Sequence, residues 1–127
     1  MKGPILLIVL LLMAAGSIAQ TTDRIRFARG AHGANVTGRL NGYNDERDFL
    51  IRVRACQTLR TEQIGGTRPI TIYIVDPNGE SVGDSDASCN NRREIAPTVA
   101  GDYRIQVVEC QKANTWRGTF RFRVTVR

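Results

Sequence analysis

Arginine side chains that alternate with apolar residues are the first candidates for binding chemistry in this chain. Arg121 and Arg123 lie in such a pattern near the C-terminus, and Arg52 and Arg54 lie in another one upstream. Period-two alternation is typical of half-buried strands, and the guanidinium group bonds oxyanions through paired N–H donors. The four arginines therefore define a candidate anion-binding face, although arginine on outward strand positions also keeps sheets soluble.

Two polar segments place further binding chemistry in loops. Residues 111–118 separate two alternating segments and present Asn114, Trp116 and Arg117 at their tip. Tyr43 directly follows Asn41-Gly42, a dipeptide typical of tight turns. Trp116 is the only tryptophan, and its position allows two interpretations, a partial cap over the core or a platform for a ligand.

The chain has three cysteines, which allow three disulfide pairings and leave one thiol over in an oxidising compartment. Cys89 lies in a long polar segment and Cys110 at the end of an alternating one, which favours a Cys89–Cys110 disulfide. It would close a loop of about 20 residues and contribute roughly 3 kcal/mol. Cys56 would then be the free thiol, either buried or dimer-forming.

Catalytic and metal-binding constellations are weak in this sequence. His32 is the only histidine, it lies between small residues, and no serine or cysteine occurs in a motif that activates a nucleophile. The carboxylates of the polar loops have no distinctive spacing, and Asp84-Ser85-Asp86 lacks the glycine and glutamate of a calcium loop. We therefore expect no enzyme, no metal and no cofactor, and without aromatic residues among the arginines we expect no nucleic-acid partner.

The N-terminus has the pattern of an export signal. Lys2 precedes an apolar run that extends only to Ala15, and small residues lead up to Ala19, as before a signal peptidase site. The run is shorter than the roughly 20 residues of a membrane span, so an uncleaved anchor is the weaker alternative. We expect a signal peptide at 1–19, cleavage near Ala19, and a periplasmic or secreted mature domain at 20–127 with no membrane span.

The mature segment consists of short alternating stretches separated by turn signals. Strands are expected at 24–27, 35–40, 48–55, 58–64, 70–75 and 94–99, with a long loop at 80–93 and a β-hairpin within 101–127. Proline and glycine in 76–79 predict a type I turn. No segment has a sustained helical period. The pattern predicts an all-β fold, a single antiparallel β-sandwich that is jelly-roll-like and has about eight strands.

The residues at 24–59, RIRFARGAHGANVTGRLNGYNDERDFLIRVRACQTL, resemble the opening of the periplasmic inhibitors of g-type (goose-type) lysozyme. That family is a branch of the β-sandwich domains that include the bacterial pre-peptidase C-terminal domains. The matching features are Phe27-Ala28 before Gly30-Ala31 and Gln57-Thr58-Leu59. Downstream, AGDYRIQV and TFRFRVTV are similar to the family's later strands.

The resemblance implies an exported, non-catalytic inhibitor that inserts basic and aromatic loops into the acidic cleft of a g-type lysozyme or another cell-wall hydrolase. On this interpretation the contacts are Arg117, Asn114, Trp116 and Tyr43. The alternative is a secreted module that binds an anionic envelope polymer through Arg52, Arg54, Arg121 and Arg123. The two hypotheses differ in location, since the first uses loop tips and the second uses the outer surface of strands.

Overall fold

The structure is a computed structural model that describes residues 22–42, 44–65, 68–83, 89–110 and 116–127, and its regular elements within these ranges are β-strands. Nine strands are present where about eight are expected. They are β1 Thr22–Arg24, β2 Gly33–Leu40, β3 Glu46–Val53, β4 Leu59–Gln63, β5 Ile70–Val75, β6 Ser81–Val82, β7 Arg92–Ile95, β8 Gly101–Glu109 and β9 Gly118–Val126.

The strands form two sheets that pack face to face. One sheet has five strands in the order β1-β3-β8-β5-β6, and the other has four in the order β2-β9-β4-β7. Between β2 and β5 the chain changes sheet at every connection, as in a jelly roll. The predicted all-β sandwich is confirmed, with one departure in pairing, because β1 runs parallel to β3 while the other described pairs are antiparallel.

The core lies between the sheets because alternate residues of both sheets point inward. Three phenylalanines join the two layers at its centre: Phe49 of β3 meets Phe120 and Phe122 of β9 edge to face, at centroid distances of 6.3 and 5.4 Å. Isoleucines of β5 and β8 complete the layer from the five-stranded sheet. Each such buried side chain contributes about 1.5–3 kcal/mol relative to exposure.

The predicted C-terminal hairpin is wrong. Both alternating segments are strands, but β8 lies in the five-stranded sheet and β9 in the four-stranded one. Their apolar faces therefore meet across the core instead of lying side by side in one sheet. Alternation determines which face of a strand is buried, and it contains no information on which strand lies beside it.

Smaller differences concern strand boundaries. The first strand lies at Thr22–Arg24 and not at 24–27, so it shares only Arg24 with the prediction. The strand predicted at 94–99 is β7, which ends at Ile95, and the predicted 80–93 loop includes β6 and the first residues of β7. The strand at 70–75 and its following turn are confirmed. In that turn the Gly79 amide donates to the Asp76 carbonyl at 3.0 Å, and Asp76 Oδ1 accepts from the amides of Asn78 and Glu80 at 2.9 and 3.0 Å.

Candidate functional site

Four connections leave the sheets at one end of the sandwich, which we call the loop end. They join β2 to β3, β4 to β5, β6 to β7 and β8 to β9. The strand register establishes this arrangement, since Leu40 at the end of β2 pairs with Gly118 at the start of β9. In the other sheet, Glu46 at the start of β3 pairs with Val108 near the end of β8. The two loops that the sequence analysis selected therefore share one end of the molecule.

Of the four predicted contact residues, two lie within the described part of the chain. Arg117 is exposed, directly before β9, at the loop end. Trp116 is partly buried and packs against the core. Asn114 and Tyr43 lie outside the described residues, as do Asp84 and Asp86. The strand register supports the placement of the two loops. Contact of Arg117, Asn114, Trp116 and Tyr43 with a lysozyme remains a prediction.

Trp116 fixes the approach of the chain to β9. Its ring lies so close to Gly118 that a Cβ there would sit 2.9 Å from Cζ3, and its indole Nε1 is buried without an acceptor among the described residues. The cap over the core is thus the observed role of this tryptophan. Because Arg117 follows it directly, Trp116 acts as an anchor from which the exposed arginine projects.

The described residues between β2 and β3 are joined by side-chain-to-backbone hydrogen bonds. Asp45 Oδ2 accepts from the Asn41 amide at 2.7 Å and Asp45 Oδ1 accepts from the Glu46 amide at 3.0 Å. Asn44 has a φ of 66°, a conformation that asparagine tolerates better than most residues. Both carboxylate oxygens of Asp45 accept from backbone amides, so Asp45 is a structural residue that sequence analysis did not identify. Aspartate is common in turns because its side chain bonds nearby backbone groups.

The predicted disulfide is confirmed, since Cys89 and Cys110 are bonded with their Cα atoms 4.9 Å apart. The Cys89 amide also donates to Thr71 Oγ1 at 2.9 Å. The disulfide therefore ties the chain before β7 to the end of β8, where the β8–β9 connection begins. Cys56 is a free and exposed thiol, which corrects the buried alternative for this residue.

The four arginines of the alternative hypothesis do not form one face. Arg52 lies on the outer side of the five-stranded sheet, and Arg54 follows β3 at the end of the sandwich opposite the loop end. Arg121 and Arg123 lie on β9, in the four-stranded sheet. The core separates the two pairs, because the outward sides of two packed sheets point in opposite directions.

Acidic groups lie beside the loop end on the outer side of the five-stranded sheet. Asp48 is buried and its Oδ2 accepts from Arg104 Nη1 at 2.9 Å. Partial burial and the neighbouring Asp48 carboxylate raise the pKa of Glu46. Farther along the same sheet, the hydrogen bonds from Arg24 lower the pKa of Asp102, with both distances at 2.9 Å.

The histidine and the acidic side chains of the described residues are dispersed. His32 is exposed, and within the described ranges no three His, Cys, Asp or Glu side chains come together as a group that could hold a metal ion. The same ranges contain no helix that is long and apolar enough to cross a membrane.

Comparison with solved structures defines the class of fold. The pre-peptidase C-terminal domain of Bacillus anthracis collagenase is similar to this chain, with a TM-score of 0.52, 14% identity, and coverage of 85% of this chain and 96% of that one. The sandwich is thus a fold shared with pre-peptidase C-terminal domains. No protein-family model and no curated protein matches the sequence.

Higher structural similarity is found to periplasmic lysozyme inhibitors of g-type lysozyme. The inhibitor of Aeromonas hydrophila has a TM-score of 0.69 and 23% identity, covering 84% of this chain and 96% of that one. The inhibitor of Salmonella Typhimurium has a TM-score of 0.61 and 15% identity, covering 84% and 97%. The fold expected from the sequence resemblance is therefore the fold of this protein.

Proposed function

We propose that this protein is an exported, non-catalytic inhibitor of a g-type lysozyme and that it binds the enzyme through the loop end. The observation that carries the proposal is the convergence of the β2–β3 and β8–β9 connections at one end of the sandwich. The similarity in fold to periplasmic g-type lysozyme inhibitors over 96% of the length of one of them supports it.

Arg117 is the central contact in this proposal. Glycosidases cleave glycan strands with paired carboxyl groups, and a guanidinium group bonds such carboxylates bidentately. Arg117 is exposed and has an anchored neighbour on either side, Trp116 against the core and Gly118 in the register of β9. An arginine held in this way loses less conformational entropy on binding than one on a free loop.

Tyr43 and Asn114 complete the proposed contact from the two loops. Tyr43 follows Gly42 and precedes Asn44, and the flanking amides of Asn41 and Glu46 donate to Asp45. Tyrosine and asparagine would contribute hydrogen bonds to sugar-binding groups of the cleft, while the arginine contributes the charge. In this mechanism the protein blocks the cleft physically and catalyses no reaction.

Export follows from the same proposal. A lysozyme that attacks peptidoglycan acts outside the cytoplasm, so its inhibitor has to leave the cytoplasm as well. Residues 1–19 would act as the signal peptide, and the mature protein would begin near Gln20, two residues before the first strand at Thr22.

The test is the clearing of a peptidoglycan suspension by a g-type and, separately, a c-type lysozyme in the presence of the purified protein. We expect inhibition of the g-type enzyme alone. Arg117→Ala should weaken inhibition by at least about 30-fold, because truncating one partner of a desolvated charge pair costs about 2–5 kcal/mol.

Arg54→Ala is the matched control for this test. Arg54 is exposed and lies at the opposite end of the sandwich, so its replacement removes the same charge without touching the loop end. Equal inhibition by the wild type and Arg117→Ala would reject the proposed contact, and unimpaired clearing by both lysozymes would reject the proposed function.

A further inference from the structure

A groove of about 580 Å³ runs over the outer side of the four-stranded sheet. Residues of β4 and β9 form its floor, where Arg60 pairs with Thr125 and Glu62 pairs with Arg123 in the strand register. The groove lies on the outer side of the sheet and extends from Glu62, one residue before the end of β4 at the loop end, to Thr58 and Arg127 at the opposite end of these strands.

Both carboxylates of the groove are already engaged by arginines. Arg60 Nη2 lies 2.7 Å from Glu94 Oε1, and Arg92 Nη2 lies 2.6 Å from Glu62 Oε1. These two pairs cancel the negative charge of the surface and hold the glutamates in place across β4 and β7.

Arg123 supplies a positive charge that these carboxylates do not cancel. Its Nη1 donates to Asn35 Oδ1 at 3.0 Å, which orients the guanidinium, and the other N–H groups of an arginine remain available as donors. Arg127 lies two positions beyond Thr125 on the same side of the chain and lines the groove as well. The groove thus has an excess of positive charge around a central threonine.

Hydroxyl and carboxylate groups in the same groove match the hydrogen bonding of a sugar. Thr58 and Thr125 can donate and accept, and the paired Glu94 can accept from a hydroxyl group with its remaining lone pairs. The volume lies within the usual range of ligand sites, about 300–1,000 Å³, and exceeds what an isolated oxyanion requires.

We propose that this groove binds a saccharide that carries a phosphate or sulfate group. The oxyanion lies against Arg123, because charge-assisted hydrogen bonds to a guanidinium are the strongest that the groove offers. The sugar hydroxyl groups bond to Thr125, Thr58 and Glu94. This site differs from the four-arginine face expected from the sequence, since Arg52 and Arg54 are not part of it and most of its lining was not singled out there.

The two sites can be occupied together because they lie at different parts of the molecule. The groove therefore provides a means of holding the protein on a phosphorylated or sulfated glycan while the loop end remains open. It requires no enzyme as a partner and is independent of the lysozyme proposal.

The test is an NMR titration of the ¹⁵N-labelled protein with glucose 1-phosphate, glucose and inorganic phosphate at low salt. Glucose 1-phosphate should shift the backbone amides of β4 and β9 around the groove and bind more tightly than either of the other two probes. Arg123→Gln should weaken this binding about tenfold, because it removes the charged donor, and Thr125→Val should weaken it by a smaller factor.

Arg26→Gln is the matched control, since Arg26 is exposed and lies outside the groove. It should leave the affinity for glucose 1-phosphate unchanged. Equal affinity for inorganic phosphate and glucose 1-phosphate would overturn the saccharide assignment. If Arg26→Gln lost as much affinity for glucose 1-phosphate as Arg123→Gln, the groove would not be the binding site. Amide shifts located outside β4 and β9 would overturn it as well. If Arg123→Gln did not fold, Thr125→Val and the wild-type shift map would decide.

Discussion

Single residues determine how the loop end is presented. Asp45 accepts from the amides of Asn41 and Glu46 with its two carboxylate oxygens, and Trp116 packs against the core directly before Arg117. Both residues can affect the proposed inhibition without contacting the lysozyme, because they position their neighbours. Replacing such a residue would change the conformation of the free protein, whereas replacing Arg117 would change the contact alone.

Glu46 makes stability depend on pH in the opposite direction from a salt-bridged carboxylate. Its pKa is raised by partial burial and by Asp48, so the ionised form costs folding free energy. We expect Glu46→Gln to raise the urea midpoint of unfolding at pH 7.5. The gain should disappear near pH 3, where the wild-type carboxyl is protonated in the folded and unfolded states.

Glu80→Gln is the control for this measurement because Glu80 is exposed on the turn after β5. It removes the same charge without removing a carboxylate from the neighbourhood of Asp48. A midpoint for Glu46→Gln that was lower than that of the wild type at pH 7.5 would contradict the predicted sign.

The sequence pattern predicted which segments are strands better than it predicted which strands lie side by side. The strand Ile70–Val75 and its turn are as predicted because alternation and the Asp76-Pro77 signal are local properties. The separation of β8 and β9 into two sheets and the two-residue strand β6 depend on contacts between distant segments. For the same reason the sequence did not predict the groove, whose lining comes from strands far apart in the chain. The loop residues of the candidate site stay a prediction.

Close packing between neighbouring strands makes Gly38 a specific requirement of the four-stranded sheet. Gly38 pairs with Phe120, and a Cβ at position 38 would overlap Cζ of that ring. Phe120 is itself buried against Phe49 and Phe122. We expect Gly38→Ala to destabilise the protein by about 1–3 kcal/mol through overpacking, as measured by urea unfolding.

A double-mutant cycle identifies the cause of that effect. Phe120→Leu removes the ring that the new methyl group would meet, so Gly38→Ala should cost less in the Phe120→Leu background than in the wild type. Additive costs would show that the loss arises elsewhere, for example from strand propensity.

The disulfide restrains the end of β8, where the β8–β9 connection begins. It joins Cys89 to Cys110 across a separation of 21 residues. In a Cys56→Ser background, replacing both Cys89 and Cys110 by serine should lower the free energy of unfolding by about 3 kcal/mol through loop entropy, as measured by urea unfolding.

Removal of the disulfide should also weaken lysozyme inhibition, because the connection that bears Arg117 loses a covalent anchor. The Cys56→Ser variant alone should behave as wild type, since that thiol is exposed. Unchanged stability after removal of the disulfide would contradict the constraint.

At the scale of the whole molecule, ion pairs lie on the outer surfaces of both sheets. The four-stranded sheet carries the pairs of Arg60 with Glu94 and of Arg92 with Glu62. The five-stranded sheet carries pairs that link β1 to β3 and β8, from Asp23 and Arg24. The first strand is thus attached by side chains as well as by its parallel pairing with β3, and its loss would affect the entire edge of that sheet.

Removal of residues 20–24 from the mature protein tests the contribution of β1. The deletion breaks the register from Thr22 to Asp48 and from Arg24 to Leu50, and it exposes the backbone edge of β3. We expect a lower urea midpoint than that of the full mature chain starting at Gln20. The double variant Asp23→Asn with Arg24→Gln removes the ion pairs alone, and its urea midpoint should lie between those of the deletion and the full mature chain.

The ion pair of Arg24 with Asp102 also makes a pH-dependent contribution. Because Arg24 lowers the pKa of Asp102, the stability from that pair is present above the unfolded pKa of the aspartate and is lost as pH falls through its folded pKa. The difference between the double variant and the wild type should therefore shrink at low pH, while the deletion remains destabilised. Equal midpoints for the deletion and the double variant at neutral pH would mean that strand pairing by β1 adds nothing to its ion pairs.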